Sequence, residues 1–204
     1  MFKRISLLAL LSSLILCLAG CGGEQPAAPT DQKAAAPAAK KEEPPVETYD
    51  ITKVSLTDHA DWSSRNVAIL GAKIGDVTNK VLPNFGKMDN TRTLADDYLT
   101  IYQDSGLFVY TQKTSGKIRK FEIYDTFAKQ IVDEKLKKLL TSGDLKYMRE
   151  AFGQEEKMEE NTEDPNSPGT EYVYDSRGFR FVKYKVGNRT LNALRFTEIK
   201  KGTT

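Results

Sequence analysis

Asp97-Tyr98-Leu99-Thr100-Ile101-Tyr102, a break at Gln103-Asp104-Ser105-Gly106, then Leu107-Phe108-Val109-Tyr110-Thr111-Gln112 form two short runs rich in aromatic and β-branched residues. Such runs around a polar, glycine-containing break predict an antiparallel hairpin, because these side chains suit a pleated surface and glycine supplies the turn. A third run, Lys117 to Tyr124, follows Gly116. The same order returns downstream as Thr170 to Tyr174, Phe179 to Lys185 and Thr190 to Ile199, with Gly178 and Gly187-Asn188 at the breaks.

Other blocks recur with it. Tyr102-Gln103-Asp104-Ser105-Gly106 returns as Tyr174-Asp175-Ser176-Arg177-Gly178, and Ile118, Phe121 and Ile123 return as Leu191, Leu194 and Phe196. Upstream, Gly75-Asp76 with Phe85-Gly86 returns as Gly143-Asp144 with Phe152-Gly153. Three blocks in one order at nearly constant spacing mark a tandem duplication. Asp76 and Asp144 are N-cap residues in type, and the apolar sets Val77, Val81, Phe85 and Leu145, Met148, Phe152 share a helical face. Gly86 and Gly153 would end these helices, and Pro83 should distort the first. Thr126 to Leu140 reads as a further amphipathic helix. The skipped apolar position in the third run of both copies predicts a β-bulge in each. Trp62 to Leu70 has no clear pattern. The expectation is an α+β fold: a tandem repeat of helix or helices followed by a three-stranded antiparallel sheet, helices packed on one sheet face. A first αβββ unit would occupy residues 48–125 and a second ααβββ unit residues 126–204, in one compact domain.

Ile74-Gly75-Asp76, a short helix, Phe85-Gly86 and a tyrosine-containing strand resemble the small lipoprotein of the β-barrel assembly machinery, and a tandem pair of such units is similar to the β-lactamase inhibitor protein fold. This chain lacks that inhibitor's disulfide cysteines, and no stretch carries over its inhibitory contacts. The resemblance implies a protein-binding scaffold in a bacterial envelope.

The N-terminus points to the same compartment. Lys3 and Arg4 precede an apolar run, Ile5 to Leu18, shorter than the ~20 residues of a spanning helix, and Leu18-Ala19-Gly20-Cys21 closes it. The box resembles that of bacterial lipoproteins. It implies a signal peptide over residues 1–20, cleavage before Cys21, and a lipid anchor on the Cys21 thiol. Two acyl chains give durable attachment at ~0.8 kcal/mol per buried methylene. Residues 21–47, rich in Pro, Ala, Lys and Glu, lack the apolar content to fold and read as a flexible tether. Gly22 stands where an aspartate would mark inner-membrane retention, so the expected location is extracytoplasmic, on the cell membrane or the outer membrane.

Cys17 and Cys21 are the two cysteines, so the domain beyond the tether holds no disulfide. With 30 basic against 28 acidic residues and a formal net charge of +2, there is no field to attract nucleic acid. The single histidine, His59, lies near Asp58 and Asp61, a spacing that fits a solvated edge better than catalysis or metal binding. No phosphate loop, nucleophile elbow or histidine pair is present, so no cofactor and no metal are expected. The acidic stretch Glu155, Glu156, Glu159, Glu160, Glu163 and Asp164 matches no EF-hand spacing and reads as a solvated loop.

Strand alternation supplies a candidate surface. With Leu99, Ile101, Leu107, Val109, Val173, Phe179 and Phe181 assigned to the core, the opposite face would carry Tyr98, Tyr102, Phe108, Tyr110, Tyr172, Tyr174, Arg180 and Tyr184. Aromatics and arginine are enriched at binding hot spots. The functional expectation is a lipid-anchored envelope protein, not an enzyme, that binds an unidentified protein partner. The alternatives are an accessory subunit of an envelope assembly complex and an envelope enzyme working through carboxylates.

Overall fold

A computed structural model describes residues 46–161 and 168–199. The signal segment, Cys21, nearly all of the tether, and Glu163 and Asp164 of the acidic stretch lie outside the described residues.

A small sheet comes first, formed by β1 (Tyr49–Asp50), β2 (Val67–Ile69) and β3 (Ala72–Lys73), with β1 parallel and β3 antiparallel to β2. Next is α1 (Thr78–Val81), a single turn. Then follow β4 (Asn90–Thr93), β5 (Asp97–Tyr102), β6 (Leu107–Gln112) and β7 (Ile118–Tyr124). Two helices, α2 (Glu134–Ser142) and α3 (Leu145–Phe152), precede β8 (Lys157–Asn161), β9 (Gly169–Tyr174), β10 (Phe179–Val186) and β11 (Arg189–Thr197). Strands β4 to β11 form one eight-stranded antiparallel sheet in the order β4-β5-β6-β7-β11-β10-β9-β8.

This corrects the expected α+β class: the protein is mostly β, one large antiparallel sheet with a small mixed sheet, and not two helix-plus-three-strand units. Each half of the large sheet is a meander of four strands, and the halves join through β7 and β11, which pair from Phe121↔Phe196 to Tyr124↔Ala193. The missed strands are the two edges. The β4 residues Asn90-Thr91-Arg92-Thr93 are all exposed, and β8 is Lys157-Met158-Glu159-Glu160-Asn161, so neither has the apolar alternation that announces a half-buried strand. Charged and polar side chains on a sheet edge discourage pairing with other chains.

The helical content shrinks for identifiable reasons. Pro83 removes a donor and turns Leu82–Phe85 into a 3-10 turn after the one turn of α1. Asp76 does not cap α1; its carboxylate accepts from the Lys73 amide at 2.8 Å, within the turn after β3. Asp144 does cap α3, accepting from the Lys146 amide at 3.0 Å. The expected helix over Thr126 to Leu140 divides into a 3-10 segment, Asp125–Gln130, and α2, which restarts at its own N-cap, Asp133. The unassigned segment around Trp62 to Leu70 contains β2. A bulge is present in one copy: the β6–β7 register shifts at Tyr110/Thr111, where Arg119 is the extra residue. The β10–β11 ladder is continuous from Phe179↔Phe196 to Val186↔Arg189.

Ladder partners share a face, and one line of partners crosses six strands: Tyr102, Leu107, Ile123, Leu194, Phe181 and Tyr172. This first face builds the main core. Leu136, Leu139 and Leu140 of α2 are fully buried in it, Asn192 donates to the Leu140 carbonyl at 3.1 Å, and Lys183 donates to the Gly143 carbonyl at 3.2 Å. Trp62 fills its far end, with ring centroids 4.9 Å from Phe152 and 5.5 Å from Phe179.

Candidate functional site

The neighbouring line of ladder partners, Ile101, Phe108, Glu122, Arg195, Arg180 and Val173, lies on the second face of the same sheet. The expected candidate face is therefore divided. Phe108, Tyr110, Arg180 and Tyr184 share the second face, whereas Tyr98, Tyr102, Tyr172 and Tyr174 belong to the first. Tyr102 and Tyr174 are core residues, 2% and 3% exposed, packed against Phe85 and Phe152. Tyr172 stacks on Phe181, and Tyr98, at the outer end of β5, is 45% exposed. Conversely Leu99, Ile101 and Val173, expected in the main core, stand beside Phe108 and Tyr110 or Arg180 on the second face.

The cause is a phase ambiguity. Both sides of β5 are apolar or aromatic, so alternation alone leaves the facing open. The hairpin loops settle it. Gln103–Gly106 and Asp175–Gly178 are the same length, and they set Tyr102 opposite Leu107 and Tyr174 opposite Phe179, which forces each pair onto one face.

Charged residues that sequence reasoning passed over occupy the centre of the second face. Glu122, Glu171 and Arg195 are at most 3% exposed; Glu122 lies between Phe121 and Ile123, Arg195 between Leu194 and Phe196, and Glu171 between Thr170 and Tyr172. A charge inside an apolar strand is the signal that could have found Glu122 and Arg195, because burial demands a partner. Arg195 reaches Glu171 Oε1 through Nη1 at 2.5 Å and Glu122 Oε1 through Nη2 at 3.3 Å. Arg180 donates to Glu171 Oε2 at 2.6 Å and continues outward to Glu159 at 3.1 Å and Asp175 at 3.3 Å. Lys157 closes that outer group, 2.8 Å from both Glu159 and Asp175.

Tyrosines complete the lattice. Tyr110 donates to Glu122 Oε2 at 3.0 Å, Tyr184 donates to Glu122 Oε1, and Arg195 Nη2 donates to the Tyr184 hydroxyl. Burial, and then the Glu122 charge, push the hydroxyl pKa values of Tyr110, Tyr124 and Tyr184 far above the ordinary tyrosine range. Burial alone would lower Arg180, but its bonds to Glu171 outweigh that and raise it. Around the lattice lie Phe108, 4.7 Å from Tyr124 between ring centroids, and an apolar cluster of Val182, Tyr184 and Ala193 against Tyr124 and Leu191. Leu191 thus belongs to this face and not to the core stripe of Leu194 and Phe196.

His59 lies elsewhere. Its ring stacks on Tyr49 at 4.1 Å, and the Tyr49 hydroxyl donates to Asp61 at 2.9 Å. Among the described residues, no group of three or more His, Cys, Asp and Glu side chains is placed to hold a metal ion. No helix among them is long and apolar enough to cross a membrane.

No protein-family model matches the sequence, and no curated protein matches it. A solved structure of a DUF4309 family protein (YjgB) from Bacillus subtilis subsp. subtilis str. 168 is similar over 60% of this chain and 79% of its own, at 12% identity and a TM-score of 0.37. That likeness is too distant to carry either a fold or a function across.

Proposed function

We propose that this chain is a lipid-anchored envelope protein, held through Cys21, whose domain is a non-catalytic protein-binding module working through the second face of the large sheet. The lattice of Glu122, Arg195, Glu171 and Arg180 carries the reading. Both carboxylate oxygens of Glu122 and of Glu171 are engaged by arginine or tyrosine donors, so these acids are committed to structure. A carboxylate enzyme needs one acid free to exchange a proton with substrate. What the lattice does supply is rigidity: it fixes Tyr110 and Tyr184, and the aromatic surface beside them, at little further entropy cost on binding.

The test places a photo-crosslinking side chain at Phe108 in the full chain, expressed in its own membrane. A discrete adduct with another protein, absent when the probe replaces exposed Lys87 instead, is the expected result. No adduct above the Lys87 control removes the binding function. Incorporation of radiolabelled fatty acid that disappears in Cys21→Ser is expected in parallel, and its persistence removes the anchor.

A further inference from the structure

The β10–β11 hairpin outruns its neighbours. Strand β9 pairs with β10 only as far as Gly169↔Tyr184 and β7 pairs with β11 only from Tyr124↔Ala193, whereas β10 and β11 go on pairing each other to Val186↔Arg189. The arm beyond the sheet, Lys185-Val186-Gly187-Asn188-Arg189-Thr190, is exposed at every position. It is rooted by the Lys185 amide, which donates to the Pro168 carbonyl at 2.7 Å. Near its tip stands an apolar side chain, Val186, 41% exposed. The charges on the arm are Lys185 and Arg189, and neither is in an ion pair among the described residues. No acidic residue occurs between Asp175 and Glu198. The base of the hairpin rests on the α2–α3 turn, where Lys183 and Asn192 donate to the Gly143 and Leu140 carbonyls. Beside that turn, the exposed Lys138 and Lys146 stand 5.7 and 5.1 Å from the centroid of the Tyr147 ring. A ring attracts a cation but cancels no charge, and Asp144, the acid of this turn, is engaged in capping α3.

We infer that this arm docks on the anionic phospholipid surface of the membrane that carries the anchor, with Val186 entering the headgroup layer between Lys185 and Arg189 and with Lys138 and Lys146 adding to the positive field behind them. This rests on the proposed lipid anchor and adds the orientation in which the domain is held. An apolar tip flanked by cations suits a peripheral membrane contact, in which apolar burial and attraction to anionic lipid act together. The anchor supplies the choice of occupant. The stretch from Cys21 to Val46 spans at most ~90 Å even fully extended, so the bilayer is always beside the domain. One acyl-chain signal is strengthened by a basic patch on the same molecule, and each cation near such a surface raises membrane partitioning about fivefold. Because the arm extends along the strands, it docks by its tip and leaves both faces of the large sheet open, the second face included.

The test attaches an environment-sensitive dye at Asn188→Cys in the acylated full chain, reconstituted on lipid vesicles. Cys17 leaves with the signal peptide and the Cys21 thiol is blocked by its lipid, so the dye has one thiol to react with. On vesicles containing phosphatidylglycerol the dye is expected to shift to the blue and to be quenched by nitroxide-labelled lipid, both effects receding with added salt. Pure phosphatidylcholine should leave the dye in water, and so should a dye at Ser115→Cys, in the exposed β6–β7 turn at the opposite end of the sheet. Lys185→Gln/Arg189→Gln should weaken docking at least ~tenfold. Both side chains sit on the surface, and a circular dichroism spectrum identical to the parent's certifies the double variant as folded. Docking that is equal on phosphatidylcholine, unaffected by salt or retained by the folded double variant overturns the inference. So does a photo-crosslinker at Asn188 that captures protein in place of lipid in the native membrane, which would make the arm a protein contact. A chain that floats with the vesicles while its Asn188 dye stays in water overturns this inference alone, whereas a chain that does not float overturns the anchor as well.

Discussion

Glu122 and Arg195 stand opposite each other on β7 and β11, the strand pair that joins the two halves of the sheet, with Oε1 and Nη2 3.3 Å apart and both residues almost wholly buried. A buried ion pair adds little net stability, because desolvation offsets attraction, but removing one member strands the other. Arg195→Met leaves two carboxylates, Glu122 and Glu171, without their shared cation. Urea unfolding followed by the fluorescence of Trp62, the chain's single tryptophan, is expected to show a loss of about 3–5 kcal/mol. Adding Glu122→Gln and Glu171→Gln to that variant should recover part of the loss. A cost below 1 kcal/mol for Arg195→Met alone would mean that the seam is held by backbone pairing and not by the lattice.

Buried tyrosines on both faces of the sheet set an alkaline limit. Tyr174 is pushed up to about 12, by burial first and then by the Glu155 charge, and Tyr110, Tyr124 and Tyr184 are pushed higher still. The folded chain keeps protons that an unfolded tyrosine releases near its ordinary value of 10.0, so ∂ΔG/∂pH is negative above that value. Stability from this source is intact below pH 10 and declines as pH rises through the folded values. The urea midpoint should be flat approaching that point and fall beyond it, with tyrosinate absorbance appearing together with unfolding. Titration of these tyrosines in the still-folded protein would contradict their burial.

Much of the sheet was readable because its inner strands carry aromatic and β-branched residues broken by glycine turns: β5 and β6 begin and end where the sequence pattern places them. The edges were not readable. Asn90-Thr91-Arg92-Thr93 owes its strand form to pairing with β5, a tertiary cause that leaves no apolar trace in the segment itself. The facing of Tyr102 follows from the hairpin loop that sets it opposite Leu107, whereas alternation along β5, apolar or aromatic on both sides, leaves it open. Glu122 and Arg195 are far apart in sequence, and their meeting depends on β7 pairing with β11, which no local signal specifies.

Gly178 marks a backbone approach that no other residue type tolerates. Its φ is +64°, and a Cβ there would lie 2.5 Å from the Thr197 carbonyl oxygen and against the Ser64 hydroxyl. Gly178→Ala is expected to cost about 2–4 kcal/mol in the urea assay, from left-handed strain plus displacement of β11 or of the Ser64 loop. Gly187, at φ +59°, has nothing within 4 Å of a Cβ, so Gly187→Ala should cost only about 1 kcal/mol. Equal costs would assign the whole effect to backbone angle and remove the packing argument.

Asp133 joins the helical layer to the first segment of the domain. One carboxylate oxygen caps α2, accepting from the Lys135 and Leu136 amides at 2.9 and 3.1 Å, and the other accepts from the Thr57 amide at 2.7 Å and the Ser55 hydroxyl at 3.1 Å. Burial opposes ionisation, but these four bonds outweigh it and hold the carboxyl below its ordinary value of 3.8. Because the folded pKa is depressed, the stabilisation is present above that value and is lost as pH falls through the folded one. Asp133→Ala removes more than an ordinary cap, since it also leaves donors around Ser55 and Thr57 unpaired, and the expected cost at neutral pH is about 2–4 kcal/mol. Asp133→Asn, which keeps an acceptor oxygen but not the charge, should cost less. The gap between parent and Asp133→Asn is the diagnostic: it should be constant near neutrality and close as pH falls below 3.8. A gap that persists unchanged into acid would assign the role of Asp133 to shape and not to charge.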